Sequence, residues 1–242
     1  MTAAPEEPLD ERGPRAWPLI LFAVACITLG YVFFSFGSEV AERETGTFDR
    51  AVREWALAHQ HPAGRGFFGV VTWLGSSWVL APAALLLGAL LLRRGARRRP
   101  LLLAVTPLGF WLFVTLLKLR YRITRPPAGV AANLGFSFPS GHASISMAAS
   151  LVLTYVLVRE RLAPRITLVL GPLLALLVGV SRVYLDVHWA SDVLGGWMIG
   201  AAYGAACCAL YAWAHRRAEQ SARRRRRDPV ASDGRTRTEL HT

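Results

Sequence analysis

Cysteine is scarce: three residues in 242, namely Cys26, Cys207 and Cys208. All lie in apolar stretches, the last two side by side, so neither a disulfide framework nor a zinc site is expected. Acidic residues are also few, 16 Asp and Glu against 28 Lys and Arg. They nowhere gather at the spacing of a magnesium or zinc site, so no metal and no cofactor is expected. Charged residues of either sign make up only 18% of the chain, against 53% hydrophobic. No internal repeat is visible. A net charge of +12 in a soluble domain would suggest nucleic acid, but here the charges are confined to short clusters between apolar runs.

Those runs decide the class. Six have membrane-spanning length, about 17 to 25 residues: 17–36, 67–92, 100–117, 140–158, 166–185 and 190–214. In lipid the backbone must satisfy its own polar groups, so runs of this length are helices. The expected fold is all-α, a polytopic bundle of six transmembrane helices. Residues 1–16 form an N-terminal segment, 17–214 the membrane domain and 215–242 a basic tail. Glu6, Glu7, Asp10 and Glu11 precede the first run and no small-residue cleavage site follows it, so it is read as an uncleaved anchor. The tail, with Arg223 to Arg227 in succession, lacks apolar periodicity and is expected to be disordered. No aromatic residues interleave with its arginines, which favours a cytoplasmic topology signal over nucleic-acid binding. No feature calls for an obligate protein partner.

Positive residues mark the cytoplasmic side. Arg93, Arg94, Arg97, Arg98 and Arg99 join runs two and three, and Arg159, Arg161 and Arg165 join runs four and five. An even number of crossings then places both termini inside, and the remaining links outside. Runs four and five form a hairpin, so the segment after run three and the segment after run five emerge on one face, whichever face that is. The first of these carries Lys118, Arg120, Arg122 and Arg125, against the charge trend. Either something retains them there or they snorkel to the headgroups.

Parity thus gathers Lys118, Arg125 and Arg182 as cations, His142 and His188 as bases, and Asp192 as a carboxylate. This set suits a multiply charged anion undergoing proton-coupled transfer, phosphate above all. His188 and Asp192 are four apart and share a helical face if the sixth helix begins before Trp189. The carboxylate would fix the imidazole tautomer and leave the other nitrogen free to attack phosphorus. In "PSGH" at 139–142, Ser140 is expected to cap a helix, Gly141 to permit close approach, and the first-turn N–H groups to cradle an anion. His142 beside that cradle is placed to protonate a departing alkoxide. The three cations would stabilise the charge spread over a phosphoryl transition state.

Together "KLRYRITRP" (118–126), "PSGH" (139–142) and "SRVYLDVHWASD" (181–192) resemble the three signature motifs of the type 2 phosphatidic acid phosphatase family, the lipid phosphate phosphatases related to the vanadium haloperoxidases. The motifs cover about a tenth of the chain; their order and the helical frame extend the likeness to residue 214. The resemblance implies a membrane phosphatase acting on a lipid phosphate or diphosphate. In it Lys118, Arg125, Ser140, Gly141 and Arg182 bind phosphate, His188 is the nucleophile, Asp192 its partner, and His142 the acid and then the base. Undecaprenyl diphosphate is the leading substrate that the family suggests for a bacterial chain. A phosphotransferase or a vanadate-holding haloperoxidase would use the same site. An anion transporter is the reading from another class, but no run carries a charge near its middle. Whether Asp186 faces the site, and what Arg120 and Arg122 do, stays open.

Overall fold

The computed structural model describes residues 17–95, 99–127 and 135–227. The expected N-terminal segment 1–16, Arg97, Arg98, the side chain of Cys26 and the last part of the tail, 228–242, lie outside the described residues. Among those described there is no strand. The helices are α1 (Trp17–Ala41), α2 (Gly46–Ala58), α3 (Pro62–Leu74), α4 (Ser77–Arg93), α5 (Arg99–Tyr121), α6 (Gly141–Arg159), α7 (Thr167–Tyr184) and α8 (Ala190–Arg227). Four segments of the described residues are long and apolar enough to cross a membrane: Pro62–Arg93, Gly141–Arg159, Thr167–Tyr184 and Ala190–Ser221. Exposed leucines such as Leu85, Leu86, Leu170 and Leu173 cover their outer sides, as expected where the surrounding solvent is lipid.

Two expectations are corrected. The second apolar run is not one helix. It breaks at Gly75 and Ser76, where Ser76 is extended (φ −77°, ψ 154°) at the start of α4. The side chain of Val178 on α7 lies where a Cβ on Gly75 would go, so the break lets the α3–α4 junction close on α7. The stretch before it also contains helix. It holds α2, a short amphipathic helix that is too polar to register as a span. Finally, the tail is helical as far as Arg227. Residues 215–227 contain neither Gly nor Pro and are rich in strong helix formers, and a His215–Glu219 pair spans one turn at 3.2 Å. Loss of hydropathy there marks an exit from the apolar layer, not the end of the helix.

The helix pair that matters most for the site is α6 with α8. Gly196, Gly200 and Gly204 recur every four residues on one stripe of α8. A Cβ at Gly196 would lie 2.9 Å from the Ser140 carbonyl, and one at Gly204 would lie 3.1 Å from that of Ala148. At Gly200 the added atom would strike the backbone of Ser144. Small residues at this spacing let two backbones approach where lipid offers no hydrophobic drive. Gly200→Ala should therefore destabilise the protein by about 1–3 kcal/mol, measured as a lower unfolding midpoint in detergent. An unchanged midpoint would mean that α6 and α8 are free to separate.

Two apolar clusters flank this pair. One gathers Phe33, Phe110, Val114, Leu117, Phe138 and Ile199; the other gathers Leu87, Leu91, Leu103, Val152, Val156 and Tyr211. Phe138 is fully buried and stacks on Phe33 at 5.8 Å, with Tyr121 edge-on at 5.1 Å. This aromatic packing anchors the approach to "PSGH" against α1 and the end of α5.

Candidate active site

The two segments that parity placed on one face meet directly. The backbone N–H of Ser140 donates to the carbonyl of Asp192 at 2.9 Å, which joins the start of α6 to the start of α8. Arg125 donates to the carbonyls of Gly135 at 3.2 Å and Val187 at 2.8 Å, tying the link after α5 to the link after α7. Lys118, at the end of α5, donates to the carbonyls of Phe136 and Ser137 at 2.9 and 3.0 Å. Lys118 thus holds the backbone just before "PSGH", and Arg125 holds the backbone beside His188.

His188 is buried, 4% exposed, and precedes α8 instead of lying on it. The expectation of a shared helical face is corrected: α8 begins at Ala190, and the contact to Asp192 is made by a carboxylate that folds back. As the third residue of the helix, Asp192 accepts the backbone N–H of Trp189 at 2.8 Å, which satisfies a donor that the helix leaves free. The same oxygen faces His188 Nδ1 at 3.1 Å and accepts the Ser137 hydroxyl. On the other side of the ring, Arg125 Nη1 stands 3.0 Å from His188 Nε2. A guanidinium can only donate, so Nε2 is the unprotonated nitrogen and Nδ1 carries the hydrogen. The partners thereby set the tautomer that the sequence reading required. Burial first, and then the charges of Arg125, Lys118 and Arg182, hold the His188 pKa well below the usual 6.5.

Arg182 donates to the Thr72 hydroxyl on α3 at 2.7 Å, while its buried Nε has no partner among the described residues. His142, half-buried in the first turn of α6, feels the charges of Arg182, His188, Arg125 and Lys118. Ser140 holds the N-cap position, but its hydroxyl makes no capping bond, which corrects that expectation. The hydroxyl is fully buried and unpartnered, as is Asp192 Oδ1. A Cβ on Gly141 would meet nothing within 4 Å, so open space lies before that turn. The arrangement therefore offers unused donors from Ser140 and Arg182, and an oriented imidazole. Among the described residues, no group of three or more His, Cys, Asp or Glu could hold a metal ion.

The open questions on neighbouring charges also resolve. Asp186 is engaged by Arg53 on α2, which forks onto both its oxygens at 2.7 and 2.9 Å. Arg120 lies over the Tyr121 ring, and Arg122 folds back onto the Leu119 carbonyl. Neither is among the charges that act on His188. Sequence reasoning missed Ser137, Thr72, Asp49 and Arg53. Asp49 accepts both the N–H and the hydroxyl of Ser191, at 2.8 and 2.7 Å. The amphipathic pattern of α2, with Asp49, Arg53 and Ala56 on one side and Phe48 and Trp55 on the other, was the available signal.

An apolar cleft opens between α4, α5, α6 and α8, lined by Leu80, Ala84, Pro107, Phe110, Ile145 and Val152 among others. One of its lining residues, Ile145, follows His142 by three positions on the same helix.

The chain as a whole has known relatives. The family profile of the PAP2 superfamily matches residues 76–216, and the chain belongs to that superfamily, whose named relatives are phosphatases. Phosphatidylglycerophosphatase B of Bacillus subtilis (strain 168) is 28% identical over 179 residues, which are 72% of this chain and 88% of that protein. The undecaprenyl-diphosphatase of Sulfolobus acidocaldarius is 43% identical over 67 residues, covering 27% of this chain and 29% of that one. Among solved structures, the transmembrane PAP2-type phosphatidylglycerolphosphate phosphatase from Bacillus subtilis superposes with a TM-score of 0.70 at 26% identity, over 76% of this chain and 94% of that one.

Proposed function

We propose that this protein is a six-span integral membrane phosphatase that removes the terminal phosphate of a lipid phosphate or diphosphate on the extracytoplasmic face through a phosphohistidine at His188. The carrying observation is the imidazole itself, with Nδ1 on Asp192 and Nε2 on Arg125. An arriving phosphate oxygen competes for the Arg125 N–H and releases the Nε2 lone pair. Nε2 then bonds to phosphorus as the bond from phosphorus to the lipid oxygen breaks, and His142 gives that oxygen its proton. In the second half His142 takes a proton from water, the water oxygen bonds to phosphorus, and the bond from phosphorus to nitrogen breaks. Lys118, Arg125 and Arg182, with Ser140 and the Gly141 backbone, hold the phosphoryl oxygens throughout. The negative substrate, set among these cations, favours the protonated form of His142 on which the first step depends.

The reading of the substrate as lipid rests on position. The site lies at the ends of spanning helices, and the apolar cleft that Ile145 helps to line offers an alkyl or prenyl tail an apolar seat near it. The names of the relatives point to phosphatidylglycerophosphate and undecaprenyl diphosphate, and undecaprenyl diphosphate remains the leading expectation. Phosphate release by purified protein from a panel of these lipids and phosphatidate tests the proposal. Release from none of them, with the protein folded, would overturn it. A phosphotransferase would pass the same phosphohistidine to an alcohol, and would show as product formation dependent on an added acceptor.

Two further results follow from the site. Because the His188 pKa is lowered well below 6.5, the free enzyme already holds a neutral nucleophile at that pH. The acid limb of kcat/KM, corrected for the substrate's own ionisation, should lie below pH 6.5. A limb at or above that value would show an imidazole that titrates as if exposed. Activity should also survive EDTA, since guanidinium and ammonium groups supply the charge; loss in EDTA that added metal restores would overturn this assignment.

A further inference from the structure

Helix α2 is absorbed by none of the motifs, yet it grips the nucleophile's loop from both sides. Upstream of His188, Asp186 turns the chain in the left-handed region at φ 56°, a conformation disfavoured for a residue with a Cβ. Its carboxylate is clamped by the Arg53 fork, and the Arg53 guanidinium also lies 5.9 Å from the centre of the Trp189 ring. Downstream, Trp189 at the N-cap position of α8 offers no oxygen to the N–H groups of the first turn, and among backbone donors Asp192 serves only the Trp189 N–H. Asp49 supplies an oxygen from another helix: its carboxylate accepts the N–H of Ser191, the second residue of α8, together with the Ser191 hydroxyl. A cap of this kind satisfies a first-turn donor and places negative charge at the helix's positive end. Asp49 is itself steadied by Thr45 at 3.1 Å and is only 7% exposed.

We infer that Asp49 and Arg53 are positioning residues for His188, fixing the residues two before it and three after it from a helix outside the spanning bundle. The inference rests on the reading of His188 as the nucleophile. Without the Arg53 clamp the turn at Asp186 relaxes. Without the Asp49 cap the first turn of α8 frays, and Asp192 moves with it. Each change displaces the imidazole while Lys118 keeps its two carbonyls and Arg182 keeps Thr72, so the loss falls mainly on the chemical step. Another face of α2 leaves Phe48 and Trp55 48% and 62% exposed, the pattern of a helix that lies along a membrane surface.

The test is steady-state kinetics on the full chain in detergent with dioctanoyl phosphatidate, comparing Asp49→Asn, Arg53→Gln and Arg53→Lys with the parent. Misplacement by about 1 Å costs roughly 10²-fold. Asp49→Asn and Arg53→Gln should therefore lower kcat about 10- to 100-fold with KM within about twofold. Arg53→Lys should recover part of the loss, since it keeps the charge and loses the fork. The inference is overturned if kcat stays within about twofold of the parent, if the loss appears in KM alone, or if it merely tracks the fraction of folded protein. His188→Ala run alongside separates the failures. Full activity there sinks the reading of the site, whereas a dead His188→Ala beside fully active α2 variants sinks this inference alone.

Discussion

His188→Ala loses phosphate release by about 10³-fold or more, while the protein is produced, inserts in the membrane and unfolds at nearly the parent's midpoint. The reasons lie in the contacts that survive. Asp192 keeps the Trp189 N–H and the Ser137 hydroxyl, and Arg125 keeps the carbonyls of Gly135 and Val187. No buried charge is stranded, so the fold tolerates the change. The chemistry does not, because no other group in the site offers a lone pair fixed toward the phosphate position. Lys118 is occupied by two carbonyls, and His142 lies in the first turn of α6, where it serves the leaving group. Rapid quench with radiolabelled lipid phosphate should find an acid-labile phosphoprotein in the parent and none in the variant. Turnover within about tenfold of the parent would remove His188 from the nucleophile's role.

What could be read from the sequence, and what could not, divides along the range of the interactions involved. Lys118, Arg125, His142, Arg182, His188 and Asp192 were legible because the helical hairpin of α6 and α7 returns the chain to one face, a matter of counting crossings. The bond from Ser140 to Asp192 is the physical form of that argument. Local geometry was harder. Whether His188 stands on α8 or before it depends on one turn at Asp186, and nothing in "YLDVHW" announces a left-handed residue there. The Ser140 hydroxyl matched a capping pattern but turned out unpartnered, because the chain there is held by a backbone bond to α8 instead. The α2 clamp was out of reach for another reason. Asp49 meets Ser191 across 142 residues and Arg53 meets Asp186 across 133. A search for spanning runs passes over a 13-residue amphipathic helix. The break in the second run likewise depends on Val178, a residue of another helix, and hydropathy along one segment cannot register it.

Asp192→Asn should lower kcat by about 10²- to 10⁴-fold with little change in KM, and it isolates charge more cleanly than any other substitution at the site. One carboxylate oxygen serves the Ser137 hydroxyl, the Trp189 N–H and His188 Nδ1, while the other is buried without a partner. An asparagine can therefore put its carbonyl where the three contacts converge and its amide where none is made, which keeps the loop in place. Asp192→Ala would instead leave all three groups without their acceptor, at a cost of about 1–3 kcal/mol for each buried group, and its loss of activity would be confused with loss of folding. What the asparagine lacks is the negative charge. When Nε2 bonds to phosphorus the ring becomes cationic, and at a position with no exposed surface an adjacent carboxylate stabilises that cation far more than it would in water. The penalty should fall on formation of the phosphohistidine, so the quench experiment should show slow accumulation of the phosphoprotein, not slow breakdown of a fully formed one. If instead kcat stays within about threefold of the parent, Asp192 is a helix cap that happens to touch His188, and the stabilising charge must come from elsewhere.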